Sequence, residues 1–195
     1  MHGLINRSIQ NYMTDSYGLG AWHAVAARVG LSPPEFEAML TYPDEVTPAV
    51  LDACAAVLRR ARADVMEDIG TFLVSHPNTE AVRRLLRFGG MNFEDFLHSL
   101  DDLPDRARMA VSDLHLPAIE LHEHAAGCFS LICVSGLAGF GNLMMGVLRV
   151  MADDYGALAL LDLEDCEDGR ETVRIQLIKT DFTDGRRFEL GAGAQ

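Results

Sequence analysis

Hydrophobic residues recur at every third or fourth position through the first half of the chain, which is the spacing of one face of an α-helix. In the first such segment they are Leu4, Ile5, Ile9, Tyr12 and Met13. The same spacing predicts helices over residues 4–17, 20–29, 48–58, 64–75 and 80–88. Ser32-Pro-Pro-Glu35 also has the composition of a helix start, with Ser32 as the N-cap and Glu35 at capping-box spacing.

After a pair of glycines, the stretch from Phe93 to Pro104 keeps the apolar spacing of one long helix. Pro104 has no amide hydrogen, and its ring clashes with the carbonyl of Leu100, so we expect the helix to kink or restart there. The two acidic residues before Pro104 suit the N-terminus of a new helix.

Beyond residue 117 apolar and polar residues alternate, which is the period of a half-buried β-strand. The alternation predicts strands over residues 118–124, 128–134, 157–163 and 172–179, with a helix over residues 144–154 between the second and third. Asp168-Gly169 is a hairpin signal, and Phe188 is expected to add an edge pairing. The chain is therefore predicted to be α+β, with an N-terminal helical subdomain and a C-terminal antiparallel sheet with an inserted helix.

We expect a single domain over residues 1–180, with a helical subdomain at about 1–62, helices plus sheet at about 63–180, and a tail at 181–195.

The formal net charge of −13 argues against nucleic acid or an anionic membrane as a partner, because phosphate recognition needs basic surface. No apolar run is long enough to span a membrane. The N-terminus lacks a signal-peptide core, and the four cysteines include no Cys-x-x-Cys pair. These features predict a cytoplasmic protein.

Several motifs occur in a characteristic order. They are Met1-His-Gly-Leu-Ile-Asn-Arg7, Tyr42-Pro-Asp-Glu-Val-Thr47, Gly-Gly-x-x-Phe-x-x-Phe-Leu-x-x-Leu-Asp-x-Leu over residues 89–103, Pro117, and Ser135-x-x-x-Gly-Phe140 followed by Met144-x-Gly146. Together they resemble the heme–nitric oxide/oxygen-binding family (H-NOX, or HNOB), which also forms the sensor domain of soluble guanylate cyclases. The resemblance covers roughly residues 1–180.

The resemblance implies heme held between a helical and a sheet subdomain, sensing of nitric oxide or oxygen, and output through a signalling protein of the kinase or cyclase type. It implies no catalysis by the domain itself. The pocket positions that it implies are Ile5, Pro104, Pro117, Cys133, Ser135 and Leu137. Among them, Pro104 falls where the family has the histidine that ligates the heme iron.

Two of these positions depart from the family pattern. Pro104 has no side-chain lone pair and cannot be an axial ligand. The family holds the heme propionates with Tyr-x-Ser-x-Arg, a period of two that puts three side chains on one face of a strand. The matching run here is Cys133-x-Ser135-x-Leu137, and Leu137 cannot neutralise a carboxylate as arginine would. A buried, unpaired propionate costs on the order of several kcal/mol.

Three hypotheses remain open. In the first, the chain is a non-enzymatic signalling domain that has lost the usual heme attachment, acts on a partner protein and keeps an apolar cavity able to hold another hydrophobic ligand. In the second, heme still binds through His98, Cys133 or another residue, although His98 lies about 120° around the helix from position 104.

The third hypothesis is a metal site on the outer face of the first hairpin, where His122, His124 and Cys128 come together and His115 is nearby. Imidazole and thiolate are the ligands that zinc prefers. The chain shows no Ser/His/Asp triad, phosphate-binding loop or dinucleotide fingerprint, so an enzyme is the least favoured class.

Overall fold

In the computed structural model, which describes residues 1–167 and 169–186, a helical N-terminal region precedes a four-stranded antiparallel sheet. The α-helices among these residues are α1 (Gly3–Tyr17), α2 (Leu19–Val29), α3 (Val46–Leu58), α4 (Arg62–Ser75), α5 (Glu80–Arg87), α6 (Phe93–His98), α7 (Leu103–Ala110) and α8 (Phe140–Tyr155). The strands are β1 (Ala118–Ala125), β2 (Cys128–Val134), β3 (Leu158–Glu167) and β4 (Arg170–Lys179). The predicted α+β class is confirmed.

The described residues do not include Asp168 of the predicted hairpin, the predicted pairing at Phe188, or the tail from residue 187 onward. None of the described helices combines the length and the apolar character needed to cross a membrane.

The first four helices enclose one hydrophobic core, as their apolar spacing predicts. Its largest fully buried side chains are Trp22, Phe36, Met13, Leu51 and Met66. The helix predicted after Ser32 is wrong, because this segment is irregular. Side chains of α1 and α2 satisfy its backbone instead. Gln10 accepts from the Phe36 amide at 2.9 Å, and Trp22 donates to the Pro34 carbonyl at 2.7 Å. These bonds replace the ladder that a helix would supply.

The single long helix predicted from Phe93 to Pro104 is also wrong, since α6 ends at His98 and α7 begins at Leu103. The restart expected at Pro104 is confirmed, because Pro104 lies in the first turn of α7, where its missing amide hydrogen costs nothing. Arg106 stabilises the break. Its guanidinium donates to the Ser99 carbonyl at 2.7 Å and to the Leu85 carbonyl at 3.3 Å, which joins the ends of α5 and α6 to α7.

The sheet has the strand order β1-β2-β4-β3, with every neighbouring pair antiparallel. The alternation predicted for β2 is observed, because Phe129, Leu131 and Cys133 are all buried. These residues belong to a second core, which α6 and α8 also help to form. Glycine at 169 has a positive φ of 76° in the turn between β3 and β4. The opposite face of the sheet carries polar side chains such as Ser130 and Arg174, together with the exposed Leu160 and Ile178.

The two cores meet where α4 crosses α8. A Cβ added at Gly70 would lie 2.0 Å from the Leu143 carbonyl oxygen, and one added at Gly146 would lie 2.0 Å from the Glu67 carbonyl oxygen. Real Cβ atoms do not approach backbone so closely, so the two helices can keep this separation only with glycine at both positions. The crossing therefore depends on two residues that have no side chain.

We predict that Gly146→Ala lowers the free energy of unfolding by roughly 1–3 kcal/mol, because the added methyl group must push α8 away from α4. Gly20→Ala is the matched control, since nothing lies within 4 Å of its added Cβ in α2. There, alanine should be neutral or stabilising by roughly 0.5–1 kcal/mol. Urea denaturation followed by circular dichroism measures both variants. Equal stability of the two variants would show that the crossing tolerates a side chain.

Candidate functional site

A cavity of about 530 Å3 lies between the helical core and the second core. Six helices contribute to its wall: α1, α3, α4, α5, α7 and α8. The loop from α7 to β1 and the loop from β2 to α8 also contribute, as do Met1, Asp44 and Val134. Most wall residues are apolar, such as Ile5, Leu51, Ile69, Leu103 and Leu143. The volume falls in the range of roughly 300–1,000 Å3 that is typical of small-molecule sites.

Few polar side chains interrupt this apolar wall. Among the described residues they are Ser8, Asp44, His115 and Ser135. The Asp44 carboxylate pairs with the amino group of Met1, and the N···O distance is 2.6 Å. Within the described residues, the wall contains no lysine or arginine side chain. The cavity is therefore apolar, with little positive charge available to a ligand.

Four of the pocket positions implied by the sequence lie in this wall: Ile5, Pro117, Ser135 and Leu137. Pro104, Cys133 and His98 do not line it. On α7 the wall residues are Leu103 and Ala107, which are one helical turn apart. Pro104 is the next residue after Leu103 and is half-buried beside the wall.

The run Cys133-x-Ser135-x-Leu137 is not a single strand face, because β2 ends at Val134. Ser135 and Leu137 lie in the following loop, where the Ser135 hydroxyl oxygen accepts a hydrogen bond from the Leu137 amide at 3.0 Å. Val134, at the last position of β2, also contributes to the cavity wall. The alternation along β2 therefore determines the direction of the Cys133 side chain but not those of Ser135 and Leu137.

A buried carboxylate lies at the start of α8. Glu171 of β4 accepts a hydrogen bond from the Gly139 amide at 2.6 Å and another from the Gly141 amide. These amides belong to the helix N-terminus, where backbone N–H groups lack partners within the helix and favour negative charge. Glu171 therefore ties the loop from β2 to α8 onto the sheet.

Cys133 faces the second core beside Glu171, its cross-strand partner. Burial raises the pKa of the Cys133 thiol to about 12, and the negative charge of Glu171 adds to the shift. Burial alone raises the pKa of Cys54 to about 12. Both residues therefore remain thiols, which are poor nucleophiles and poor metal ligands, at neutral pH.

His98 lies at the end of α6, away from the cavity. Its Nε2 is 3.6 Å from a carboxylate oxygen of Glu123, and about half of its side chain is exposed. Its ring packs edge-on against Phe129, with 5.7 Å between the ring centroids. The structure thus places His98 between α6 and the sheet.

On the outer face of the sheet, His122 and His124 each have a partner. His122 Nε2 lies 3.6 Å from a Glu120 carboxylate oxygen, and His124 Nε2 lies 2.8 Å from the Ser130 hydroxyl. Cys128 is half-buried on β2. The part of the chain that the structure describes contains no group of three or more His, Cys, Asp or Glu side chains placed to hold a metal ion.

The imidazole in the cavity wall is His115, which the sequence placed only near the outer hairpin. Its Nδ1 lies 3.0 Å from the carbonyl oxygen of Asp113. The loop that carries His115 has no periodic pattern, so periodicity could not show which way the side chain points. The proximity of Pro117, a family pocket position, was the available signal.

The chain matches the family model described as Haem-NO-binding over residues 2–159. This match covers most of the 195 residues. The chain belongs to the HNOB (H-NOX) family.

Curated relatives of this H-NOX chain include two soluble guanylate cyclases. The chain is 23% identical over 158 residues to soluble guanylate cyclase 89Db of Drosophila melanogaster, a match that covers 81% of this chain and 24% of the relative. It is 24% identical over 187 residues to soluble guanylate cyclase gcy-31 of Caenorhabditis elegans, covering 93% of this chain and 27% of the relative. The chain thus spans about a quarter of the length of these proteins.

Solved H-NOX structures share its fold. The Fe(II) unliganded H-NOX protein from K. algicida has a TM-score of 0.78 and 16% identity, with 97% of this chain and 100% of that chain covered. The H-NOX protein from S. oneidensis in the Fe(II)NO ligation state has a TM-score of 0.73 and 16% identity, with 91% of this chain and 99% of that chain covered. The predicted family and fold are confirmed.

The residues present do not fit the family's usual heme attachment. The resemblance of the motifs puts Pro104 at the ligand position and Leu137, which is in the cavity wall, at the position of the propionate-binding arginine. No lysine or arginine side chain in the described wall could replace the missing positive charge. The side-chain nitrogen and sulfur atoms of the described wall residues belong to His115, Met1, Met66 and Met144, and Met1 also has its amine.

We predict that Cys133 reacts with iodoacetamide at pH 8 at least about tenfold more slowly than Cys128 in the folded protein. The reason is that Cys133 is buried with a pKa raised to about 12, whereas Cys128 is partly exposed. Peptide mass spectrometry measures the labelling of each site separately. Labelling in urea is the control, and there the two rates should converge. Equal rates in the folded state would contradict the burial of the Cys133 thiol.

Proposed function

We propose that this chain is a non-enzymatic H-NOX regulatory domain that signals through a partner protein and has lost the family's heme attachment. The observation that carries the proposal is the pair of changes at Pro104 and Leu137, which removes the axial ligand and the propionate anchor together. The two changes affect different parts of the same cofactor, the iron and the propionates. Either loss alone weakens heme binding, and the two losses are independent of each other.

The proposed partner is a signalling protein of the cyclase or kinase type. The curated relatives are named as soluble guanylate cyclases, and the match covers only about a quarter of their length. In those proteins the matching region is therefore accompanied by a much longer remainder. An output supplied by an attached or separate protein is consistent with this proportion.

The apolar cavity gives such a domain a way to respond to a ligand. It is bounded by six helices from both cores and by the loop that leads into α8. A molecule that filled the cavity would contact α1, α4, α7 and α8 at once. Its binding would favour the arrangement of the two cores that suits it, in proportion to its differential affinity.

We predict that hemin titrated into the purified chain gives no stoichiometric Soret band that survives desalting. The physical reason is that neither an axial ligand nor a cation for the propionates is supplied at the family positions. The double variant Pro104→His with Leu137→Arg should gain such a band. Arg108→His, which adds an imidazole at an exposed position on the same helix, is the matched control and should not.

A stoichiometric Soret band with the unmodified chain, shifted by nitric oxide, would rule out the proposal. It would favour the second candidate function, a nitric oxide or redox sensor with a non-standard axial ligand. The observation that favours this candidate is the imidazole of His115 in the cavity wall. If His115 is the axial ligand, His115→Ala would then abolish the band, whereas His98→Ala would leave it unchanged.

A further inference from the structure

His115 is in the cavity wall and has one ring nitrogen without a described hydrogen-bond partner. Its Nδ1 lies 3.0 Å from the Asp113 carbonyl oxygen, which can only accept a hydrogen bond. Nδ1 must therefore carry the proton, and in the neutral ring this leaves the lone pair on Nε2. No described residue bonds Nε2. The loop from α7 to β1 thus fixes the tautomer and places a hydrogen-bond acceptor in the cavity wall.

The charge of the wall restricts what can fill the cavity. A carboxylate or phosphate would find no lysine or arginine side chain among the described wall residues, and the amine of Met1, which is also in the wall, is already paired with Asp44. The whole chain also carries a formal net charge of −13. An anion that entered the cavity would lose its hydration and gain no cationic partner, which is costly in an apolar site. The occupant that suits this wall is uncharged.

We propose that the cavity binds a neutral, mainly apolar molecule that bears a hydroxyl group, and that this hydroxyl donates a hydrogen bond to Nε2 of His115. The apolar body of the molecule would lie against Ile5, Leu103 and Leu143. The volume of about 530 Å3 admits a molecule of two or more fused or linked rings. This inference rests on the proposed function, because it requires a cavity free of heme.

Three probes of nearly equal size separate the contributions: para-hydroxybiphenyl, biphenyl and biphenyl carboxylate. Isothermal titration calorimetry on heme-free protein measures their affinities. Hydroxybiphenyl should bind roughly 3- to 10-fold more tightly than biphenyl, the range expected for one net hydrogen bond. Biphenyl carboxylate should bind at least about tenfold more weakly than hydroxybiphenyl, because its charge has no partner.

His115→Leu tests the role of the imidazole. Because His115 is exposed at the edge of the cavity, the variant should fold normally, which circular dichroism checks. It should bind hydroxybiphenyl and biphenyl with equal affinity, while the affinity for biphenyl itself changes little. His23→Leu is the matched control on the exposed face of α2, outside the cavity wall, and should keep the full preference for the hydroxyl. Ile5→Trp, which fills the cavity, should weaken all three probes.

Several results would overturn the inference. One is that none of the three probes shows saturable binding. The others are a preference for biphenyl carboxylate and a preference for the hydroxyl that persists in His115→Leu. The hemin titration is a separate measurement. A Soret band there contradicts the proposed function, whereas equal affinities for hydroxybiphenyl and biphenyl in heme-free protein contradict only the hydroxyl site.

Discussion

Where α4 crosses α8, Gly70 and Gly146 bring the two backbones closer than any side chain would allow. This contact determines how the helical core meets the core beside the sheet. It also determines the size of the cavity, because Ile69 of α4 and Leu143 of α8, both neighbours of the crossing, lie in its wall. The axes of helices in ordinary contact lie 8–10 Å apart. With glycine at both contact positions, the backbones of α4 and α8 pack directly against each other.

The second constraint is the interruption between α6 and α7. Pro104 begins α7 without needing an amide partner, and Arg106 fastens the new helix to the carbonyls of Ser99 and Leu85. Asp101 adds a link to the sheet, since its carboxylate accepts the Leu121 amide at 2.6 Å. The short helix that lines the cavity is thus anchored to α5, α6 and β1. Pro104, which has no side-chain ligand atom, is thus well suited to the start of this helix.

Much of this fold could be predicted because the sequence repeats its patterns. Alternation predicted β1, β2 and β4 within a few residues, since each strand has one buried face. The helix after Ser32 could not be rejected from local signals, because the bonds that hold the segment come from Gln10 and Trp22, which belong to the two preceding helices. The long central helix failed for a related reason, as apolar spacing continues across the break at Ser99.

The candidate site was less accessible to the same reasoning. Family positions directed attention to Ile5, Pro117, Ser135 and Leu137, which the structure places in the cavity wall. Parity along β2 could not place Ser135 or Leu137, because the strand ends before them. His115 lies in an irregular loop, where no period relates a residue to a direction. Its position depends on how α7 and β1 are joined, which is a tertiary property.

Glu171 has a consequence for the cavity rim. A helix N-terminus beside a pocket ordinarily acts as a receptor for an incoming anion. At α8 the chain supplies that anion itself, since the Glu171 carboxylate occupies the amides of Gly139 and Gly141. The anion-binding amides are therefore occupied by a side chain that is covalently part of the protein. An anionic ligand would have to displace the Glu171 carboxylate from these amides. The start of α8 therefore disfavours anionic ligands.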